Sequence, residues 1–130
     1  MNRYFKEVLD THVLIRDWLG NADTPVEVCD DLLSRFGPAF TMVPPSGVFF
    51  DFNALNRFFR AQHGARAGLG IQIADLQVIA ESESGATVTY TERQEIPGQS
   101  PTQRFATAVF EINHDERVMW RHLHETFTAK

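Results

Sequence analysis

The chain has 130 residues, 43% of them hydrophobic, and its 12 Lys+Arg against 17 Asp+Glu give a formal net charge of -5. This length suits one domain able to bury roughly two-thirds of its unfolded surface, and the composition excludes a disordered or fibrous chain. The acidic balance removes any general attraction to phosphate backbones and anionic membranes, so neither nucleic acid nor a membrane is an expected partner. Cys29 is the sole cysteine and no apolar run is long enough for a signal core or a membrane span. A cytoplasmic protein without disulfides is the expectation.

The first predicted element is a helix over residues 3–19. Phe5, Val8, Ile15 and Leu19 recur with the 3.6-residue period, Tyr4, Leu9 and Trp18 widen the stripe, and Gly20 offers a left-handed stop. His12 falls on that stripe, facing the core or a cavity. Thr24-Pro25-Val26-Glu27 reads as a capping box with proline at the first helical position, so a second helix starts at Pro25. It runs through Leu32, Leu33 and Phe36 to Gly37-Pro38, with Cys29 in its interior as a buried, inert thiol. Residues 40–43 and 48–50 are β-prone runs around Pro44-Pro45-Ser46-Gly47 and read as a small hairpin. Asp51 caps a third helix, whose Phe52, Leu55, Phe58 and Phe59 keep helical spacing before Gly64.

The second half changes period. Residues 69–80, 86–96, 103–112 and 118–128 carry β-branched residues with period-two alternation, separated by connections rich in turn residues and too short for parallel crossovers. Antiparallel strands are expected. Ile71 and Ile73 fall in one register and Leu76 and Val78 in the other, which predicts a bulge near Ala74-Asp75. Helices first and strands afterwards give a single α+β domain over residues 1–130: three N-terminal helices on one face of a bent, four-to-six-stranded antiparallel sheet.

This order of elements, closing on Val118-Met119-Trp120-Arg121-His122-Leu123-His124-Glu125-Thr126-Phe127-Thr128, resembles the nuclear transport factor 2-like cone superfamily. Within it the chain is most similar to the SnoaL-like and "domain of unknown function 4440" group. Trp120 and His124 match that group's W-x-x-x-H pattern, and Thr128 stands where a serine is common. The resemblance implies a cone with a pocket, in a group that includes polyketide cyclases, isomerases, dehydratases and non-catalytic association domains. Steroid isomerases of the superfamily carry a pocket tyrosine late in the first helix, and residues 12–19 here contain none. Calmodulin-kinase association domains have a second histidine two residues after the one matching His124, where this chain has Thr126. Related cones commonly pair through a flat strand face such as Thr87, Thr89, Thr91, Arg93 and Glu95, so the resemblance implies a homodimer.

Glu92 shares its strand face with Val88, Tyr90, Gln94 and Ile96 and therefore points inward. A carboxylate in an apolar cavity has its charged form destabilised, which suits a general acid or base near neutral pH; a rim carboxylate bonded to Gln94 or a histidine is the structural alternative. His122 and His124 alternate with Trp120 and Thr126 on the last strand, whose facing follows from the resemblance. A metal would need a third ligand that no clustered His/Cys pattern supplies, so no metal or other cofactor is expected. Arg60, His63 and Arg66 are cations near a helix C-terminus, which the helix dipole already accounts for. The expectation is a cone domain that binds a small apolar or amphipathic molecule, with proton transfer of an isomerase, cyclase or dehydratase type. Glu92 and His124 are its catalytic candidates, facing one cavity, and His12, Tyr90, Trp120 and His122 shape the pocket. The competing expectation is a non-catalytic homodimeric binding or association module whose polar residues only satisfy one another.

Overall fold

The computed structural model describes residues 1–129. The apolar stripe at the start of the chain winds into α1, Arg3–Gly20, whose free N-terminal amides are met by the Asn2 side chain accepting from Tyr4 N at 2.8 Å and Phe5 N at 3.2 Å. Helix α2 spans Glu27–Leu33. It is shorter than the sequence predicts at both ends. Thr24 does not cap it; its hydroxyl donates instead to the Asp17 carbonyl at 2.7 Å, tying the turn back to α1. Phe36 does not extend it either, because its ring packs 5.7 Å from Trp120 as the first residue of strand β1, Phe36–Val43. Pro38 costs the sheet little, since β1 is out of register with its neighbour between Phe36 and Thr41.

Strand β2 is the two-residue Phe50–Asp51, antiparallel to β1, and Asp51 caps helix α3, Phe52–Ala61, by accepting from Ala54 N at 2.8 Å. A meander follows: β3 Gly70–Ser82, β4 Gly85–Glu95, β5 Thr102–Ile112 and β6 Val118–Phe127. The six strands lie in the order β2-β1-β6-β5-β4-β3. Every neighbouring pair is antiparallel except β1 and β6, which are parallel, so the expected antiparallel sheet is mixed. The turn-length argument is correct for β3 to β6 but does not reach β1, which returns to β6 through α3 and four strands, ample for a parallel crossover.

The predicted bulge is present: the β3–β4 register shifts between Ala74 and Gln77, Asp75 takes a φ of 57°, and the Thr91 hydroxyl donates to the Ala74 carbonyl and the Asp75 carboxylate. A second bulge lies in β6. Val109 pairs with His122 but Phe110 pairs with Trp120, which leaves Arg121 as one extra residue on β6. Side chains on either side of that residue therefore fall out of step.

Under the first half of α1 the space between helices and sheet is filled. Tyr4 and Val8 are fully buried against an aromatic group in which Phe110 lies 4.6 Å from Trp120. The Trp120 indole N–H donates to the Thr11 hydroxyl at 3.1 Å and to Glu7 at 3.2 Å, so its polar edge is satisfied within the core. Beyond Thr11 the packing opens. Among the described residues no helix is long and apolar enough to cross a membrane.

Candidate functional site

The register of the meander sets the floor of this opening. Inward residues of β4, β5 and β6 line up in three rows: Val88, Ala108 and Leu123; Tyr90, Ala106 and Glu125; Glu92, Arg104 and Phe127. Of these residues Leu123, Glu125, Glu92 and Arg104 line the opening, whereas Tyr90, expected to shape it, is buried in the sheet's inner face and does not line it. The second half of α1 crosses this floor and directs His12, Ile15 and Leu19 into a cavity of about 320 Å³. Its other apolar walls come from the β1–β2 arm and α3, including Met42, Val48, Phe50, Leu55 and Phe58. Its polar lining is Ser46 and a cluster of His12, Arg66, Glu92, Gln94, Arg104 and Glu125. This volume lies at the small end of ligand pockets, which run from about 300 to 1,000 Å³.

Glu92 is 2% exposed and does face inward, as its strand alternation predicts. Its partner is His12, at 3.1 Å from Nε2 to Oε1, while the other carboxylate oxygen accepts from Gln94 Nε2 at 2.6 Å. His12 Nδ1 lies 2.7 Å from the Val8 carbonyl, which can only accept, so Nδ1 carries a proton. Nε2 then faces a carboxylate and holds a proton as well, making the pair an imidazolium and a carboxylate. Burial on its own would lower the His12 pKa, but the charge and hydrogen bond of Glu92 outweigh it and raise the pKa above its usual value. Burial would likewise raise Glu92; the His12 charge and hydrogen bond, with Gln94 and Arg104, bring it down to about 2.

The second carboxyl is Glu125, 5% exposed, with one oxygen accepting from Arg104 at 3.3 Å. Burial and then the charge of Glu92 raise its pKa to about 7, only partly offset by Arg104 and His12. Tyr90 is buried next to both, its hydroxyl has no hydrogen-bond partner, and burial followed by the two carboxylates lifts its pKa well above the usual value. Two carboxyl groups of one cavity are thus held in opposite states, Glu92 ionised and Glu125 exchanging its proton near neutrality.

His124 is not part of this arrangement. It is exposed on the outer face of the sheet, opposite Thr107, and the expected Glu92–His124 pair does not form. His122 is on the same outer face, its Nδ1 2.7 Å from the Thr41 hydroxyl. Trp120 is inward but belongs to the filled core and does not line the cavity. The cause is the extra residue Arg121: strict alternation would keep Trp120, His122 and His124 together, and the bulge sends Leu123 and Glu125 inward instead. Glu125 escaped the sequence reading, although Leu123-x-Glu125-x-Phe127 carries the same signal as Tyr90-x-Glu92, a carboxyl among alternating apolar residues. Arg104 was overlooked for the same reason.

No protein-family model and no curated protein matches the sequence. Among solved structures, an NTF-2 like protein of unknown function from Pseudomonas aeruginosa is 38% identical over 98% of this chain and 99% of that chain, with a TM-score of 0.91. The chain belongs to the NTF2-like family. The same fold occurs in an NTF2-like protein from Cytophaga hutchinsonii, 12% identical over 98% of this chain and 100% of that one with a TM-score of 0.70. It occurs also in a protein of unknown function with a cystatin-like fold from Nostoc punctiforme, 11% identical over 95% and 90% with a TM-score of 0.71. In this NTF2-like domain the cavity sits between the helices and the inner face of the sheet, and the outer face carries Phe105, 54% exposed, beside the threonines of β4.

Proposed function

We propose that this NTF2-like domain is of the SnoaL-like type, binds a small apolar or amphipathic molecule in the 320 Å³ cavity, and catalyses proton transfer on it. Isomerisation, cyclisation and dehydration are the reactions of that class. The observation that carries the reading is Glu125, a buried carboxyl poised near pH 7 on the floor of an apolar cavity. A group with that pKa both donates and accepts a proton at neutral pH, which is what acid–base catalysis asks of it. Glu92 is committed to His12 and acts as a fixed negative charge that keeps Glu125 poised, and Arg104 orients the Glu125 carboxyl. His12 thus occupies the place beside Glu92 expected of His124, as a charge partner, and the acid–base role passes to Glu125.

The test uses 3-cyclohexen-1-one, small enough for the cavity, in D₂O with NMR detection of deuterium uptake beside the carbonyl and of double-bond migration. The protein should accelerate both, and Glu125→Gln should lose at least about 100-fold of the rate, the usual contribution of a positioned acid or base. An unchanged rate in Glu125→Gln would sink the catalytic assignment. Saturable binding of the ketone with no exchange would favour the passive binding module.

We also propose a homodimer formed through the outer sheet face, where Phe105 pairs in register with Thr91 and Thr126 and stands exposed between them. An aromatic ring left on a flat strand face is an incentive for pairing that a monomer does not use. Light scattering should return the mass of two chains, and Phe105→Glu should return that of one. A single-chain mass for the unaltered protein excludes the dimer.

A further inference from the structure

The main cavity does not end at its polar floor. A second, open groove of about 530 Å³ lies beyond it, lined by Arg66, Gln94, Gln99, Ser100, Thr102 and Arg104 among others. Arg66, Gln94 and Arg104 line both spaces and so form the wall between them. We propose that this wall is an anion subsite, and that the molecule held in the cavity is an amphipathic carboxylic acid whose carboxylate lies between Arg66 and Arg104 while its chain fills the apolar cavity. The inference rests on the reading of the cavity as a small-molecule site and adds the chemical class of the molecule.

Three features of the wall point to a carboxylate. The first is unused donor capacity. A guanidinium offers five N–H groups, yet among the described residues Arg66 makes one bond, from Nη1 to Gln94 Oε1 at 3.3 Å, and Arg104 makes one, from Nη1 to Glu125 at 3.3 Å. Arg104 Nε is buried and has no hydrogen-bond partner among the described residues, on a side chain that is 13% exposed. The donors left over for a ligand are therefore those of the two guanidinium ends, on residues that line both spaces.

The second feature is charge. Arg66, Arg104 and His12 bring three cations to the cavity, and the one carboxylate firmly ionised beside them, Glu92, is already held by His12 and Gln94. Glu125 offsets Arg104 only in the fraction of molecules where it has lost its proton. Among the described residues no Asp or Glu lines the second groove, whose remaining polar side chains are the amide of Gln99 and the hydroxyls of Ser100 and Thr102. An anion therefore meets a surplus of positive charge and neutral donors, and the planar fork of Arg fits the two oxygens of a carboxylate.

The third feature is the boundary between polar and apolar surface. Met42, Phe50, Leu55 and Phe58 line the main cavity but not the second groove and carry no charge, and the one polar side chain of that stretch is the neutral hydroxyl of Ser46. A molecule spanning both regions has one charged end and an apolar body. A cavity of 320 Å³ corresponds to on the order of ten waters, room for a medium-length chain.

Isothermal titration at pH 7 with octanoate, octan-1-ol and octylamine separates the possibilities, because the three differ only at the head. Octanoate should bind at least ten-fold more tightly than octan-1-ol, and octylamine should bind most weakly. Arg104→Gln and Arg66→Gln should each weaken octanoate roughly ten-fold and leave octan-1-ol unchanged. Arg66 is only partly buried, so its variant carries the test if Arg104→Gln does not fold. Equal binding of octanoate and octan-1-ol overturns the anion subsite while leaving the cavity as a small-molecule site. Binding of none of the three by the folded protein overturns both.

Discussion

Replacing His12 by alanine should destabilise the protein by about 3–5 kcal/mol near pH 6, because it strands a carboxylate in the core. Glu92 is 2% exposed, and only His12 brings it a full compensating charge at hydrogen-bond distance, 3.1 Å. The sign of the pH dependence follows from both members of the pair. Glu92 drops from an ordinary 4.5 to about 2 on folding, so its contribution is complete above pH 4.5 and is lost as the pH falls toward 2. His12 is raised above 6.5, so its contribution is complete below pH 6.5 and is lost as the pH rises through its folded value. The pair therefore stabilises most between about pH 4.5 and 6.5. In His12→Ala, burial acts on Glu92 without opposition and drives its pKa up, so the loss should shrink in acid as Glu92 takes up a proton. Replacing both residues by leucine should recover much of the loss, since it removes the stranded charge along with its partner. Urea titrations at several pH values measure all of this, and a His12→Ala protein within 1 kcal/mol of its parent at pH 6 would contradict the ion pair.

Glu125 works against stability in the opposite direction. Its pKa rises from 4.5 to about 7 on folding, so between those values the folded state binds the extra proton and stability falls as the pH rises. The full loss, reached just above pH 7, is on the order of 3 kcal/mol for a shift of this size. Glu125→Gln keeps the shape and removes the Glu125 titration, so its stability should be nearly flat from pH 5 to 6.5, should fall above that only through His12, and should exceed that of the parent at pH 8. Together with the His12–Glu92 window, which is flat from about pH 4.5 to 6.5, this places the maximum stability of the unaltered protein near pH 4.5, at the lower edge of that window. A parent whose melting temperature is the same at pH 5 and pH 8, or a Glu125→Gln protein less stable than its parent at pH 8, would remove the case for a raised Glu125 pKa. A residue that destabilises the fold while being poised for proton exchange is what a trade between stability and activity looks like.

How much of this was legible in the sequence depended on whether local period decides the outcome. The α1 stripe, the Asp51 cap and the bulge at Ala74-Asp75 follow from spacing alone, and all three are present. His12 on its stripe and Glu92 on its strand face both turn inward, since an intact helical or strand period carries a side chain to a definite side. The last strand fails at one residue. Nothing near Arg121 in the sequence marks it as surplus; the register is set by β5, whose Phe110 must meet Trp120 for the core to close, and by β1 on the other edge. That is tertiary packing, and period-two counting is blind to it. The parallel pairing of β1 with β6 and the capture of the Thr24 hydroxyl by Asp17 were hidden for the same reason, both being contacts across long stretches of chain or between separate turns.

The division of the cavity between its two sources has a further meaning. Most of its apolar lining, from Phe36 to Phe59, belongs to one continuous stretch of chain, whereas Glu92, Gln94, Arg104 and Glu125 stand on hydrogen-bonded strands of the meander. Shape and reactivity are thereby encoded in different segments. Enlarging the space at Phe58 or Met42 would admit bulkier molecules without disturbing a proton-exchanging group, and exchanging charges on the strands would alter the chemistry and the head group preferred without altering the size of chain that fits. Such separation lets a lineage change its ligand and its reaction in independent steps, each tolerable on its own.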